Sequence, residues 1–361
     1  MRKKRVTSSD IAKAVGVSQT TVSMILNKKY NTSFSRATVE KVERAAQELH
    51  YHRPRRRAKK TYTAQKLLMV LCPSLVNPYY TTLIQGVEEG AREHGYSVIV
   101  CNTGRVRKAE EDYLERIETL RPAGVIYMYY PLCQRRAEAL AQRCPLVLVG
   151  AQGELEHIDA VALDSAKTGR LMAEHLLELG HRRVAFISTH IESQQPARLR
   201  RAEGFEEAFK AGASEGRVLV KVPHGEGDCL DDAQREYRTG YELTRELMAQ
   251  DPDITAIAAL NDMVALGVLD ALLQLHYKVP QDISVIGCDN TMTARLQSVS
   301  LTTIEHFSLN KGRDATDIVF KKLAMAGADV PGDLAASNYH VEYEPYLVPR
   351  TTTGPVRIAE K

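Results

Sequence analysis

Hydrophobic positions recur at helical spacing through the first fifty residues, where Gly16 is the only glycine between Thr7 and Tyr51. Apolar residues at i, i+3 and i+4 form the buried face of a helix. The pattern predicts three short helices, each starting after a hydroxyl side chain that can cap it. They are a helix after Thr7, with Asp10 completing a capping box, a helix over Gln19–Leu26 after Ser18, and a helix over Arg36–Leu49 after Ser35.

Beyond residue 66 the pattern changes to short apolar runs that alternate with amphipathic helices. Such runs, bounded by turn residues, predict buried strands. The predicted strands are Leu67–Cys72, Val98–Cys101, Val125–Met128, Leu146–Val149, Val184–Ser188, Val218–Val222, Ala256–Ala259 and Ser284–Cys288. The predicted helices are Tyr79–His94, Glu110–Leu120, Arg135–Arg143, Lys167–Leu179, Ala202–Ala211, Tyr241–Gln250 and Met263–Leu275.

Strands that are apolar along their whole length and alternate with helices form parallel sheets covered on both faces. The series occurs twice, which predicts two lobes. We therefore expect an all-α head and a two-lobed α/β body with parallel sheets, whose ligands bind at the carboxyl ends of strands and at domain interfaces. The expected boundaries are 1–51 for the head, 52–65 for a linker, 66–350 for the body and 351–361 for a tail.

The charge of the chain is unevenly distributed. Residues 1–66 contain 17 Lys or Arg against 4 Asp or Glu, whereas the remainder contains 31 against 41. A basic head on an acidic body indicates a polyanionic partner for the head alone. The alternative is a basic tail that only improves solubility, and the ordered helical pattern of the head disfavours it.

Composition argues against several other classes of protein. No apolar stretch is long enough to cross a membrane, and no apolar signal-peptide core follows the basic start, so we expect a cytoplasmic protein without a membrane partner. The six cysteines are scattered without a Cys-x-x-Cys pair, so we interpret them mostly as small core residues. We expect no metal site and no cofactor.

Two short helices joined by a tight turn with a glycine are typical of a helix-turn-helix, whose second helix enters the major groove of DNA. Glutamine can bond adenine twice, and threonine can bond a base edge or contact a thymine methyl. Caps and phosphate contacts set the register rather than the sequence preference. The candidate base readers are Gln19, Thr20 and Met24, and the candidate caps and phosphate contacts are Ser18, Thr21, Ser23 and Asn27. A purely structural three-helix module is the alternative.

The run from Thr7 to Ser23, followed by Ile25-Leu-Asn27, resembles the head of the lactose/galactose-repressor family of bacterial regulators. Motifs of the body occur in the same order as in that family, among them Asn77-Pro-Tyr-Tyr80, His175–Ile187 and Ile283–Asn290. The resemblance covers nearly the whole chain. It implies a homodimer that binds a pseudo-palindromic double-stranded DNA operator, and a body similar to periplasmic sugar-binding proteins.

Two positions depart from the family pattern. The family usually has Arg or His where this chain has Met24, so we expect apolar contact with thymine or a looser preference there. The family linker places a leucine wedge in the minor groove, and the matching position here is Lys60 or Thr61. Since neither is an apolar wedge, we hypothesise that Arg55, Arg56 and Arg57 enter the minor groove and bend the operator less. A flexible linker that contacts only phosphates is the alternative.

The resemblance implies a small-molecule effector, which we expect to be a sugar or sugar derivative, between the two lobes. Carboxylate and guanidinium groups bond neighbouring sugar hydroxyls, and an aromatic ring packs on the apolar face. The implied contacts are Tyr79, Tyr80, Arg201, Asn261, Asp262 and Asp289. Each has a structural alternative: Tyr80 in the core, Arg201 paired with Glu203 or Glu206, and Asp262 as a helix cap.

Three classes of function compete for this sequence. An effector-switched transcription regulator, expected to be a repressor, accounts for the head and the body together. An enzyme is disfavoured because the chain has no Gly-x-Ser-x-Gly elbow, P-loop, Gly-x-Gly-x-x-Gly or His-Glu-x-x-His motif, and we expect no catalytic residues. A transporter's solute-binding protein is disfavoured because the sequence shows no signal peptide and carries the helical head.

Overall fold

The structure is a computed structural model that describes residues 7–26, 34–49, 65–150, 155, 158–191, 195–213, 215–224, 233–327 and 337–356. The chain forms two compact units, Met1–Thr63 and Ala64–Lys361, which we call the head and the body.

The head contains the three predicted helices, α1 (Ser8–Val15), α2 (Gln19–Leu26) and α3 (Arg36–Glu48). The predicted capping box of Thr7 and Asp10 is present at the start of α1. Gly16 ends α1 in the left-handed region, at φ 73°, where glycine has no steric penalty. The core of the head consists of Ile11, Ala12, Val22, Ile25 and Val42, which come from all three helices.

The body consists of strands alternating with helices, as the sequence pattern predicts. Its helices are α4 (Pro78–Glu93), α5 (Arg107–Leu120), α6 (Gln134–Ala141), α7 (Ser165–Glu178), α8 (Pro196–Gly212), α9 (Ala233–Gln250), α10 (Asp262–Gln274) and α11 (Ser308–Gly327). Its strands are β1 (Gln65–Cys72), β2 (Ser97–Asn102), β3 (Pro122–Tyr127), β4 (Leu146–Val149), β5 (Asp159–Leu163), β6 (Arg183–Ile187), β7 (Arg217–Lys221), β8 (Ala256–Ala259), β9 (Ser284–Ile286), β10 (Thr303–Ile304), β11 (His340–Tyr343) and β12 (Leu347–Val348).

Two parallel sheets define two lobes within the body, which confirms the predicted fold class. The first lobe has the strand order β11-β5-β4-β3-β1-β2, and the second has β7-β6-β8-β9. Strands β10 and β12 form a small antiparallel ribbon. The chain passes between the lobes after β5, before α11 and after β11, so three segments connect them in the described part of the chain.

Helices α4 and α11 of the first lobe are in direct backbone contact. A Cβ at Gly86 would lie 2.1 Å from the carbonyl oxygen of Leu309, and one at Gly312 would lie 2.2 Å from that of Leu83. Only glycine permits this approach, which brings Lys311 of α11 beside the start of α4.

Several elements differ from the sequence prediction. Strand β5, the helix α11 and the strands β10 to β12 were not predicted, and α8 and α9 begin six and eight residues earlier than predicted. The first residues of the expected tail, 351–361, belong to the body instead. Thr352 is buried, and its carbonyl accepts a hydrogen bond from the amide of Val285. The amide of Val356 likewise bonds to Leu179, so the second lobe extends to residue 356.

Most cysteines have the predicted core role. Cys72, Cys101, Cys133, Cys144 and Cys288 are buried free thiols, and Cys229 lies outside the described residues. Among the described helices, none is both long and apolar enough to cross a membrane.

Candidate DNA-binding face and ligand cavity

Helix α2 presents one polar face to solvent and one apolar face to the core of the head. Gln19, Thr20, Ser23 and Met24 are exposed, while Val22 and Ile25 of the same helix are buried. This division follows from the 3.6-residue period of the helix. The predicted base readers therefore lie together on the solvent-facing side.

The start of α2 is held by Ser18, whose Oγ accepts a hydrogen bond of 3.1 Å from the amide of Thr21. The side chain of Gln19 donates a hydrogen bond to the Oγ of Ser8 over 3.2 Å, which joins the first turn of α2 to α1. The predicted contacts Asn27, Arg55, Arg56 and Arg57 lie outside the described residues.

A cavity lies between the two lobes of the body. Parallel α/β sheets bind ligands at the carboxyl ends of their strands, and the loops that line this cavity follow such ends. Five of the six predicted effector contacts line it: Tyr79, Tyr80, Arg201, Asn261 and Asp289. The other described lining residues are Asn77, Arg105, Met128, Tyr129, Tyr130, Val149, Gly150, Gln195, Pro196, Ala197, Arg198, Glu236, Leu260 and His306.

Two tyrosines at the start of α4 form part of the first-lobe wall. Asn77 caps the helix by accepting a hydrogen bond of 2.9 Å from the amide of Tyr79, and Pro78 occupies the first turn. The rings of Tyr79 and Tyr80 meet edge to face, with centroids 5.1 Å apart. The hydroxyl of Tyr80 accepts a hydrogen bond from Arg105 Nη2, and that of Tyr79 accepts one from Lys311 Nζ.

Arg201 and His306 form part of the opposite wall of the cavity, which we call the second wall. Arg201 Nη1 donates to the carbonyl oxygen of Leu260 over 2.5 Å, and Nη2 lies 3.3 Å from His306 Nε2. Because a guanidinium only donates, His306 Nε2 is the acceptor and the ring proton is assigned to Nδ1. Burial and the nearby charges of Lys311 and Arg201 hold the pKa of His306 well below its ordinary value, so the ring is neutral at pH 7.

Asp289 provides a buried carboxylate on the same wall. Burial raises its pKa well above the ordinary value, the charges of Asp262 and Glu236 raise it further, and Arg201 and Lys311 act in the opposite direction. Its Oδ1 lies 3.7 Å from His306 Nδ1. Its backbone has φ 125°, which is strained for a residue with a side chain.

Asn261 and Asp262 are neighbours with different surroundings. Asn261 lines the cavity and caps α10 through a hydrogen bond of 3.0 Å from the amide of Val264. The buried carboxylate of Asp262 accepts hydrogen bonds from Thr291 and Thr303 instead, and it does not line the cavity. Burial raises its pKa to about 6. The structure thus corrects the prediction for Asp262, which joins the loops behind the cavity.

Sequence reasoning missed several charged and polar lining residues. Glu236 of α9 is buried, accepts a hydrogen bond of 2.7 Å from Asn77 and pairs with Arg198 at 3.2 Å. Arg105 follows Gly104 in the loop after β2. A loop arginine after a strand end is a signal that the sequence offers, whereas no local feature distinguishes Glu236 from other helix acids.

Cys288, Asp289 and His306 place one potential metal-ligand atom each within 4.8 Å of one another, within the described part of the chain. Arg201 and Lys311 lie close to this group, as their effects on the pKa of His306 show. Two neighbouring positive charges oppose a divalent cation, so these residues suit an organic ligand better.

A helix-turn-helix head joined to a two-lobed α/β body with a cleft defines the class of ligand-responsive bacterial transcription regulators. Residues 7–54 match the family model of bacterial regulatory proteins of the lacI family, and residues 173–353 match that of periplasmic binding protein-like domains. The HTH-type transcriptional repressor PurR of Pasteurella multocida (strain Pm70) is 32% identical over 321 residues, which cover 88% of this chain and 92% of that protein. The chain therefore belongs to the lacI family of bacterial regulatory proteins.

Two solved structures have the same fold along most of the chain. The lac repressor dimer bound to operator and the anti-inducer ONPF superimposes with a TM-score of 0.65 and 24% identity, covering 97% of this chain and 100% of that one. The complex of the transcriptional regulator CelR with cellobiose gives a TM-score of 0.66 and 23% identity, covering 96% and 100%.

Proposed function

We propose that the chain is a homodimeric repressor whose operator affinity is set by a sugar or sugar derivative bound between the lobes. The observation that carries the proposal is the cavity between the lobes, whose lining combines hydrogen-bond acceptors, guanidinium groups and tyrosine rings and comes from both lobes. A cavity lined by such polar and aromatic groups suits a small hydroxylated ligand. Its relatives and structural neighbours, which include a repressor, an operator-bound dimer and a regulator in complex with cellobiose, agree with it.

Asp289 and Asn261 would form hydrogen bonds with ligand hydroxyls. Arg201 would hold His306, and His306 would orient Asp289. Tyr79 and Tyr80 present ring surfaces from the first lobe against which the C–H face of a sugar packs. The ligand therefore contacts both lobes, and its binding free energy depends on how far they are closed. Such differential binding is what allows a ligand to shift a two-state protein.

In the head, Gln19, Thr20 and Met24 would face base edges while Ser18, Thr21, Ser23 and Asn27 contact phosphates. A dimer places two such heads on half-sites about one helical turn apart or a multiple of it. Arg55, Arg56 and Arg57 would enter the minor groove without a leucine wedge. Gel phasing should then show a smaller operator bend than a protein with a leucine wedge produces. A sharp kink would contradict this part of the proposal.

A mobility-shift assay on DNA from upstream of the protein's own gene tests the proposal. The expected result is a specific complex whose affinity falls steeply with salt. A thermal-shift screen of sugars, sugar phosphates and nucleosides identifies the effector, because a ligand raises the stability of the state that binds it. Absence of any specific complex with every promoter tested would remove the proposal.

A further inference from the structure

The segment that leads from the second lobe into α11 contains a strained residue. Phe307 lies between β10 and α11 and has φ 51°. The left-handed region is strongly disfavoured for a bulky aromatic residue, so its neighbours have to hold this backbone in place. We call Glu305–Phe307 the connecting segment, because it crosses from the second lobe to the first.

Glu305 and two tyrosines hold Phe307 in this conformation. Glu305 Oε1 accepts a hydrogen bond of 2.7 Å from the amide of Phe307. The ring of Phe307 packs against Tyr343 and Tyr346, with centroids 4.9 Å and 5.6 Å away. Tyr343 ends β11, and Tyr346 lies on the crossing that leads from β11 to β12. Phe307 therefore joins two of the connections between the lobes.

The other carboxylate oxygen of Glu305 contacts the loop that follows β9. This loop, Asp289–Thr291, carries the proposed effector contact Asp289, and we call it the effector loop. Asn290 Nδ2 donates a hydrogen bond to Glu305 Oε2. Arg350 Nη2 donates to Asn290 Oδ1 over 2.6 Å. Because a guanidinium only donates, this bond fixes the oxygen of the Asn290 amide, and the amide nitrogen is the atom that faces Glu305.

Arg295 supports the same contact. Its Nε donates a hydrogen bond of 3.2 Å to the carbonyl oxygen of Asn290, and its Nη2 lies 3.6 Å from Glu305 Oε2. The side chain of Glu305 is only 12% exposed, and hydrogen bonds to a carboxylate that is shielded from water are stronger than bonds between neutral groups. Glu305 thus binds the effector loop with one oxygen and the connecting segment with the other.

We propose that Glu305 is a positioning residue that couples the effector loop to the connecting segment, so that a ligand bound at Asp289 alters the strained backbone at Phe307 and with it the angle between the lobes. This inference rests on the proposed function, which makes Asp289 an effector contact. A carboxylate is planar and rigid, so a shift of Asn290 against one oxygen moves the other oxygen against the amide of Phe307. Asn290 also has φ 51°, and strained residues at both ends of the contact allow a small shift to produce a discrete rearrangement.

A swap of donor and acceptor between Asn290 and Glu305 tests the coupling. Asn290→Asp keeps the oxygen that faces Arg350 and tolerates the left-handed backbone, but it places a second carboxylate against Glu305. Glu305→Gln keeps an oxygen for the amide of Phe307, but it turns an amide nitrogen toward that of Asn290. In the double variant the introduced amide donates to the introduced carboxylate, so the contact is restored in the opposite direction.

The measurement is hydrogen–deuterium exchange of the full chain, followed at the amide of Phe307 and at that of Ile257 in the buried strand β8. Each single variant should lower the protection of Phe307 about tenfold, because a hydrogen bond to a carboxylate contributes on this scale. The double variant should restore most of it, and Ile257 should not change. Asn310→Asp and Glu246→Gln make the same chemical changes at exposed positions and should leave both amides unchanged.

The inference is wrong if Asn290→Asp leaves the protection of Phe307 unchanged, or if the double variant loses as much protection as the two single variants together. An equal loss at Ile257 would show a general loss of stability and would also overturn it. The measurement uses neither operator nor effector. A restored double variant without any specific operator complex would therefore remove the proposed function alone, whereas a specific operator complex without coupling at Phe307 would remove this inference alone.

Discussion

Asn77 Nδ2 donates a hydrogen bond of 2.7 Å to Glu236 Oε2, and the two buried residues belong to different lobes. Glu236 also pairs with Arg198, so the bridge includes an ion pair within the second lobe. The lobes are thus joined across the cavity by protein groups alone. A ligand in this space acts on a bridge that already exists, and the strength of the bridge sets how far the lobes are closed without it.

Replacing Asn77 by Asp should weaken the bridge while keeping the cap of α4. Asp retains the oxygen that accepts from the amide of Tyr79, but it places a second carboxylate against Glu236. Loss of a hydrogen bond to a charged group costs about 1.5–3 kcal/mol, and repulsion adds to it. Small-angle scattering of the unliganded protein should show a larger maximum dimension.

Asn310→Asp makes the same chemical change at an exposed position on α11 and serves as the control. Its scattering curve should match that of the wild type. An unchanged curve for Asn77→Asp as well would mean that the bridge does not hold the lobes.

Asp289→Asn should make the unliganded protein more stable at neutral pH while weakening ligand binding. The folded pKa of Asp289 is raised, chiefly by burial, so the folded state binds its proton more tightly than the unfolded state does. Stability is therefore lost as pH rises above the ordinary value of 3.8. The thermal midpoint of the variant should exceed that of the wild type at pH 7.5, and the difference should shrink toward pH 4.

Asp317→Asn, on an exposed face of α11, controls for the change of net charge. A midpoint for Asp289→Asn that is lower than that of the wild type at pH 7.5 would show that the attraction of Asp289 to the charges of Arg201 and Lys311 outweighs the cost of burial.

Lys311→Met should also stabilise the protein, but the stabilisation should depend on pH in a different way. Burial lowers the pKa of Lys311 from 10.5 to about 8, which corresponds to about 3 kcal/mol of cost below pH 8. The lost hydrogen bond to Tyr79 offsets about 1 kcal/mol of the gain. Urea unfolding at pH 7 should therefore give a free energy of unfolding about 2 kcal/mol higher than the wild type.

The wild type should gain stability as pH rises from 8 to 10.5, because the unfolded state binds more protons in that window. Lys311→Met should lack this rise, and the exposed Lys321→Met should retain it. Identical pH profiles for Lys311→Met and the wild type would contradict the assignment of a buried ammonium.

Met24→Arg should introduce a preference for guanine at one position of each operator half-site. Met24 is 38% exposed and is not part of the core of the head, so the helix should tolerate the change. A bidentate arginine–guanine contact discriminates by about 1–3 kcal/mol, whereas methionine offers only apolar contact. Competition titrations with operator variants measure the preference at each base pair. If Met24→Arg and wild type rank all variants alike, Met24 does not face a base edge.

The head and the alternation of strands and helices in the body follow from local patterns. Thr7, Gly16 and Ser18 mark helix ends through capping and turn chemistry, which acts within a few residues. Strand β5 was missed because its run from Asp159 to Leu163 is short, and its burial comes from pairing with β4 and β11. That information is tertiary, since β11 lies near the other end of the chain.

The cavity was only partly predictable. Tyr79, Arg201 and Asp289 were found through family motifs, and Asp262 was wrongly included because it adjoins Asn261 at the same helix start. Glu236 has no such motif: its partner Asn77 is 159 residues away, and folding alone brings them together. Polar contacts across a cleft depend on how two lobes meet, which local sequence patterns do not encode.

The proposed function requires that a ligand in the cavity controls operator affinity. Its most direct test is a fluorescence-anisotropy titration of labelled DNA from upstream of the protein's own gene, with the wild type and Asp289→Asn, each with and without the effector that the thermal-shift screen identifies. We predict that the effector changes the operator Kd of the wild type by about tenfold or more and leaves that of Asp289→Asn unchanged, while both bind DNA alike without it. An equal change in both proteins, or no change in either, would contradict the claim.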